Sequence, residues 1–336
     1  MKGACYLGLE LNLFRYLVRR VFQSVIVLLF TGLIAFSMFR FVGDPIENMM
    51  GQERTDADIE ILREKLGLND PFFVQYWDFL IDAAQGNLGI SFRQGRPVVE
   101  VLIERLPATI ELASVSAFLA ILMGVSLGVY TAIKPKGWLT NVILTVSLVG
   151  VSLPTFLIGI LLIYLFAVEL GWLPSFGRGD VVEVGWWTTG LITMSGIKAI
   201  ILPAVTLGLY QMTMIMRLVR SEMSEVLSSD FVRFARSRGV PEVKIYFRHA
   251  LKNALVPVIT VTGLQLGSII AFAIITETVF QWPGLGLLFI DSVQFVDIPV
   301  MASYLMFISV MFVSINLVVD LLYTAIDPRL RVSDTK

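Results

Sequence analysis

The chain has 336 residues, of which 56% are hydrophobic, and its mean hydropathy is +0.78; an ordinary soluble domain runs to about 45–50% apolar, so composition places it in the membrane class. Its formal net charge of −1 argues neither for nor against a nucleic-acid partner. The lone Cys5 excludes an internal disulfide and any multi-cysteine metal site.

In chain order, residues 1–20 read as a cytoplasmic N-terminal segment, with Arg15, Arg19 and Arg20 ahead of the first apolar run. That run exceeds the apolar core of a signal peptide and ends in Phe39-Arg40-Phe41 without a small-residue cleavage pattern, so residues 21–41 read as a retained first helix. Uncharged stretches fall at residues 21–39, 112–133, 138–168, 199–216, 254–276 and 298–319. Each is long enough to cross a hydrocarbon core of about 30 Å as a helix. The fold expected is an all-α integral membrane protein of six transmembrane helices, with both termini on one side.

Residues 42–108 form the first long loop, and its pattern predicts a small helical insertion. Thr55 and Asp58 have capping spacing, and Ile59, Leu62 and Leu66 make a stripe that Gly67 ends. Asp70-Pro71 then supplies N-cap and first-turn chemistry for a second helix, with Phe73, Trp77 and Leu80 on one face. Such an insertion either braces the membrane helices or docks a partner. Residues 86–97 are turn-rich, and Pro97 can open another short helix before the second span.

Orientation follows from Lys and Arg. Lys134 and Lys136 lie in one short connection, the segment 221–253 is strongly basic, and Arg329, Arg331 and Lys336 follow the last span; the opposite connections are nearly free of basic residues, Arg178 and Lys198 aside. The positive-inside rule makes the basic parts cytoplasmic. Residues 109–326 then hold the five remaining helices, and 327–336 a cytoplasmic tail. Trp138, Trp172, Trp186, Trp187 and Trp282 sit at span ends and outer connections, as interfacial anchors do.

Catalytic chemistry is missing. There is no G-x-x-x-x-G-K-[ST] phosphate loop, and the single His249 cannot build a histidine metal site. The chain therefore reads as a non-enzyme without metal or cofactor of its own. Polar groups at membrane depth are Gln211, Gln265 and Asn316, with Asp320 and Glu277 near interfaces where snorkelling makes burial unnecessary. They either line a translocation pathway or join helices by hydrogen bonds.

The segment 221–253 carries the sharpest signal. Asp230 can cap a helix of about residues 231–238 in which Phe231, Phe234 and Ala235 share a side, with Arg233, Arg236 and Arg238 around the rest; Gly239 can take the left-handed stop, and Val240-Pro241 restarts the chain. A solvated loop needs no apolar stripe. Such a helix docks another protein or lies on anionic lipid.

The run Asp230-Phe-Val-Arg-Phe-Ala-Arg-Ser-Arg-Gly239, with Arg248-His-Ala-Leu-Lys-Asn-Ala-Leu-Val-Pro257 after it, closely resembles the cytoplasmic EAA loop of binding-protein-dependent ABC permeases of the dipeptide, oligopeptide and nickel family. Gly43-Asp44-Pro45, Gly86-Asn-Leu-Gly-Ile-Ser91, Arg105-Leu-Pro-Ala-Thr-Ile-Glu-Leu112, Thr276-Glu-Thr-Val-Phe-Gln-Trp-Pro-Gly-Leu-Gly286, Asn316-Leu-Val-Val-Asp-Leu-Leu-Tyr323 and Asp327-Pro-Arg329 match in family order. Where the generic pattern has Glu-Ala-Ala, this chain has Arg233, Phe234 and Ala235. The resemblance implies a permease subunit of an ATP-driven importer for di- or oligopeptides in the bacterial inner membrane. It also implies a homologous second permease, two cytoplasmic ABC ATPases that bind ATP and Mg, an extracytoplasmic solute-binding protein, surrounding membrane lipid, and no nucleic acid. Asp230, Phe231, Arg233, Phe234, Ala235, Arg236, Arg238 and Gly239 would then be the ATPase-coupling residues. The alternative is a stand-alone secondary transporter or channel, for which internal repeats and broken helices would be the signature.

Overall fold

Apolar runs become helices because a backbone in lipid must satisfy its own hydrogen bonds. The computed structural model describes residues 2–41 and 69–326, so the helix expected at Ile59, Leu62 and Leu66 and the tail 327–336 lie outside the described residues. The helices are α1 (Lys2–Phe41), α2 (Phe72–Ala84), α3 (Val98–Ile133), α4 (Trp138–Ser152) and α5 (Thr155–Leu162), the last continued by a π-helical turn Ile163–Glu169. A short antiparallel hairpin follows, β1 (Val182–Val184) with β2 (Trp187–Thr189), register Val182 to Thr189. Then come α6 (Met194–Ser228), α7 (Asp230–Ser237), α8 (Glu242–Lys244) with the π-helical Ile245–Ala250, α9 (Leu251–Val279), α10 (Leu285–Gln294) and α11 (Ile298–Ile326).

Among the described residues, four stretches are long and apolar enough to cross a membrane: Val18–Met38, Val98–Ile133, Met194–Ser228 and Ile298–Val319. Two bent pairs raise the number to six if each is one span: Trp138–Ser152 with Thr155–Glu169, bent by 115°, and Pro257–Gly263 with Gly267–Val279, bent by 47°. The third apolar run is thus a broken helix and not the single one expected. Pro154 is the cause: it holds Leu153 extended and cannot donate to the preceding turn. Pro97 does not open a separate short helix either. It precedes α3, which runs unbroken through Pro107, a substitution that membrane helices tolerate at the loss of one hydrogen bond.

The chain divides into two compact units, residues 1–107 with 284–314 and residues 108–283 with 315–336. In the first, α2 lies on α1. The Phe36 ring meets Phe72 at 5.1 Å, Phe79 at 5.7 Å and Tyr76 at 5.8 Å, and the Tyr76 hydroxyl donates to the Leu29 carbonyl at 2.6 Å. Phe73 and Trp77 face outward, at 79% and 62% exposure, so the packed stripe is Phe72, Tyr76 and Phe79 with Leu80, which lies against Gly32 of α1 and is the one residue of the expected stripe that packs. Nor does Asp70 cap α2, whose N-cap is Pro71 with no side-chain bond. In the same unit the buried Asp297 carboxylate fastens the loop after Gly89: it accepts from the Ser91 hydroxyl and from the Phe92 and Arg93 amides, at 3.1 and 3.4 Å for the amides.

In the second unit α6 is the central rod. Gly124 and Gly128 of α3 admit it closely. A Cβ on Gly128 would stand 2.6 Å from Val219 Cβ and 2.8 Å from the Met216 carbonyl, and one on Gly124 would stand 2.9 Å from Ile215. Val219, Met223 and Ile215 then join Ala120 and Val129 of α3 and Ala254 and Val258 of α9 in one buried cluster. At the other end of the unit, Arg178 donates from Nε and Nη2 to Glu111 Oε2 and from Nη1 to the Thr188 hydroxyl, fastening the hairpin to α3. Both charged groups are nearly fully buried, at 7% and 5% exposure. Trp282, expected at an interface, is 1% exposed and donates from Nε1 to the Ala108 carbonyl at 2.9 Å. It lands there because Gln281 closes α9 in the left-handed region, φ 46°, and the Trp282 amide turns back onto the Glu277 carbonyl.

Gly128→Val should cost at least the roughly 1–3 kcal/mol of an overpacked contact. The expected result is a lower melting temperature and monodisperse yield in detergent than for Gly137→Ala, whose added carbon meets nothing closer than 3.4 Å. Equal behaviour of the two variants would show that the α3–α6 approach is dispensable.

Candidate functional site on the basic loop

The polar segment 221–253 is not a free loop. Its first part continues α6 as far as Ser228, and its last part is the π-helical turn feeding α9. Between them α7 is set off by an extended Ser229, φ −71° and ψ 156°, which is the N-cap; Asp230 is the first helical residue and makes no capping bond. Asp230 instead takes a long 3.4 Å contact from Arg233 Nη1. An acid in the first turn still favours the helix through its dipole.

The far end closes as the sequence predicts. Gly239 has φ +75°, its amide donates to the Arg236 carbonyl at 2.9 Å, and the Val240 amide reaches the Ala235 carbonyl at 3.2 Å. This pair of bonds is a Schellman stop, which fixes both helix length and exit direction. Pro241 then precedes α8 with its fixed φ of −61°. Across the turn Arg236 donates from Nε to Glu242 Oε1 at 2.8 Å and from Nη2 to Oε2 at 3.2 Å. The hydrogen bond from Arg236, and after it one from Tyr246, holds the Glu242 carboxyl below its ordinary range. A depressed carboxylate keeps its contribution above the unfolded value of about 4.3 and loses it as pH falls through the folded one, so the tie is intact at neutral pH.

Burial sorts the residues of α7 into two sets. Val232 is fully buried and anchors the helix against the end of α6 and the π-helical turn, where Ile245 is also buried. Phe231 and Phe234 are 44% and 61% exposed, Ala235 is half-buried, and Arg233, Arg236 and Arg238 are exposed. The Arg238 guanidinium stands 5.3 Å from the Phe234 ring centroid. The apolar stripe therefore divides: Val232, which sequence reading passed over, holds the helix down, and the two phenylalanines are presented outward. Exposed Val243 and Phe247 were also missed. Their only signal is a large apolar side chain in a basic segment. Glu242 was missed too, its spacing to Arg236 being that of a turn and not of a helix.

The membrane-depth residues are only partly brought together. Gln211 is 3% exposed and donates from Nε2 to Ser268 Oγ at 2.8 Å, and Ser268 Oγ donates in turn to the Gln265 carbonyl at 2.6 Å. Gln211 Oε1 and the Thr213 and Thr262 hydroxyls are buried without a hydrogen-bond partner among the described residues. Asn316 lies on α11, half-buried; the Asp320 side chain is outside the described residues. Glu277 is fully buried and accepts from the Thr109 hydroxyl at 2.6 Å, so the expectation of a snorkelling carboxylate does not hold. The helix sequence around it returns to the protein interior through Trp282.

Residues 124–332 match the family described as binding-protein-dependent transport system inner membrane component, and residues 13–113 match its N-terminal component. Among curated relatives, a dipeptide transport system permease protein, DppB, of Alkalihalophilus pseudofirmus is 40% identical over 94% of this chain and 99% of the relative. A glutathione transport system permease protein, GsiC, of Escherichia coli is 36% identical over 94% and 98%, and a di/tripeptide permease protein of Pseudomonas aeruginosa is 37% identical over the same shares. Of solved structures, two chains of the MetNI methionine ABC transporter in inward-facing conformations superpose with TM-scores of 0.51 and 0.54 at 19% and 18% identity, each covering 68% of this chain and 96% of the other. They share its fold. The resemblance read from the EAA-type loop is borne out: the chain belongs to the binding-protein-dependent transport system inner membrane component family, as a multi-pass inner-membrane permease subunit of an ABC transporter.

Proposed function

We propose that this subunit forms half of the translocation pathway of an importer for di- or oligopeptides and that α7 is its coupling helix to the cytoplasmic ATPases. The observation that carries the coupling role is the division of α7: Val232 is fully buried while Phe231 and Phe234 of the same helix stand exposed among arginines. A knob of that kind fits an apolar cleft rimmed by acids. The peptide substrate is supported by the relatives, which are permease proteins of dipeptide, di/tripeptide and glutathione transport systems. ATP and Mg would be bound by the partner ATPases, and a solute-binding protein would deliver the peptide on the opposite face.

The pathway itself is assigned to the polar chain Gln211–Ser268–Gln265, together with Asn316 and with Glu277 near its outer end. Unsatisfied buried oxygens are costly unless water or a solute reaches them, and Gln211 Oε1 is such an oxygen. Closure of the ATPases would swing α7 with the end of α6 as one body, giving the differential contacts that two-state access needs.

Three outcomes test this reading. In proteoliposomes of the complete transporter, Phe234→Ala should reduce both uptake and stimulated ATP hydrolysis, because burying one such ring is worth roughly 1.5–3 kcal/mol. Gly239→Val should do at least as much harm, since its φ of +75° opposes a β-branched residue. Normal uptake and hydrolysis in both variants would defeat the coupling assignment. For sidedness, cysteines placed in a Cys5-free background should be labelled from outside at Asp58 and Trp187 and from inside at Lys134, Arg236 and Lys336; outside labelling at Arg236 in intact cells would overturn the arrangement. Finally, the purified transporter should contain one copy of this chain beside a distinct homologous permease. An active, ATPase-coupled complex with two copies of this chain and no second permease would refute the pairing.

A further inference from the structure

A cleft of about 400 Å³ opens between α4 and α6, walled by Leu144 and Leu148 on α4 and by Arg217, Arg220, Ser221 and Ser224 on α6. The four α6 positions follow i, i+3, i+4, i+7, so they form one face of the helix. Arg217 comes directly after the uncharged run 199–216, so the apolar stretch of α6 ends where the cleft begins. Neither arginine has an acidic partner among the described residues, and no carboxylate lines the cleft. Lys134 and Lys136 lead into α4 at the same end of the helix pair. One wall is thus cationic and hydroxylated and the other is aliphatic, with Leu148 55% exposed.

We infer that this cleft holds an anionic phospholipid of the leaflet on the side of the basic loops. Its phosphate lies against Arg217 and Arg220, its glycerol oxygens lie within reach of Ser221 and Ser224, and its first acyl carbons cover Leu144 and Leu148. A basic pocket between transmembrane helices, with arginine stems along the apolar wall, suits that amphiphile. Free phosphate would use the arginines and leave the leucines bare. The site is separate from the α7 surface, so coupling can be correct whether or not lipid binds here.

The complete transporter, purified in detergent and exchanged with phosphatidylglycerol or phosphatidylcholine, gives the test by native mass spectrometry. The wild-type complex should retain phosphatidylglycerol in preference to phosphatidylcholine, and R217Q/R220Q should weaken that retention about thirtyfold, each basic residue near an anionic surface being worth about fivefold. R217K/R220K should keep most of it. Leu148→Trp, which fills the apolar wall and leaves every charge in place, should lose it too, with uptake measured to show that the complex is assembled. Equal retention of the two lipids, or of phosphatidylglycerol by wild type and both disruptive variants, would overturn the assignment. Displacement of the lipid by millimolar inorganic phosphate would make this a free-phosphate site instead, and disulfide capture of Ser224→Cys by the second permease in lipid-saturated complex would show that protein covers the cleft.

Discussion

The close approach of α3 and α6 at Gly124 and Gly128 is the constraint on which the second unit depends. Lipid offers no hydrophobic drive for helix association, so a stable pair must come from dense contact between backbones and side chains. Two glycines one turn apart let Ile215 and Val219 seat against the α3 backbone, and the same residues of α6 then carry Ala254 and Val258 of α9 on the other side. Helix α6 is 35 residues, about 52 Å at 1.5 Å per residue. Its apolar run ends at Met216, and the grip continues past that point through Val219 and Met223, with Val226 and Leu227 packed on the same cluster, so its last turns have a fixed root.

At the end of that helix, each joint of α7 is closed by a specific group. Ser229 makes the entry bend, Val232 sets the depth, Gly239 makes the stop, and the bidentate Arg236–Glu242 pair ties the stop to the next helical turn. The π-helical Ile245–Ala250 then leads into α9, which packs on α6 again. A loop closed at both ends in this way moves with its helices or not at all. The proposed transmission by rigid motion needs that property more than it needs strength in any single bond.

Membrane class, apolar runs and the left-handed Gly239 were legible in the sequence because each is local: a run length, or one residue type where the backbone requires it. The break at Pro154 was equally local and is explained by the same proline rules, yet the uninterrupted hydropathy of residues 138–168 masked it. Helix α2 misled for another reason. Its aromatic residues at positions 72, 73, 76, 77 and 79 make two competing stripes, and only packing against Phe36 selects one of them. The Arg178–Glu111 pair, 67 residues apart, and Trp282 with Ala108, 174 apart, had no local signature, because burial there is decided by tertiary closure. Of the proposed coupling face, the phenylalanines and arginines were visible as composition; that Val232 alone of the apolar set is the anchor was not, since one helical turn cannot say which side meets protein.

The exposure of Phe231 and Phe234 also bears on how the subunit is made. A ring left in water forgoes the stabilisation that burial would bring, and an apolar surface awaiting its partner is a site for misassociation. In the proposed docking role, a copy synthesised in excess of its ATPases would carry that surface uncovered, where chaperones and proteases sample it. The exposure that suits α7 to the proposed docking would therefore also label an unassembled copy as surplus, so that subunit ratios could be corrected after translation.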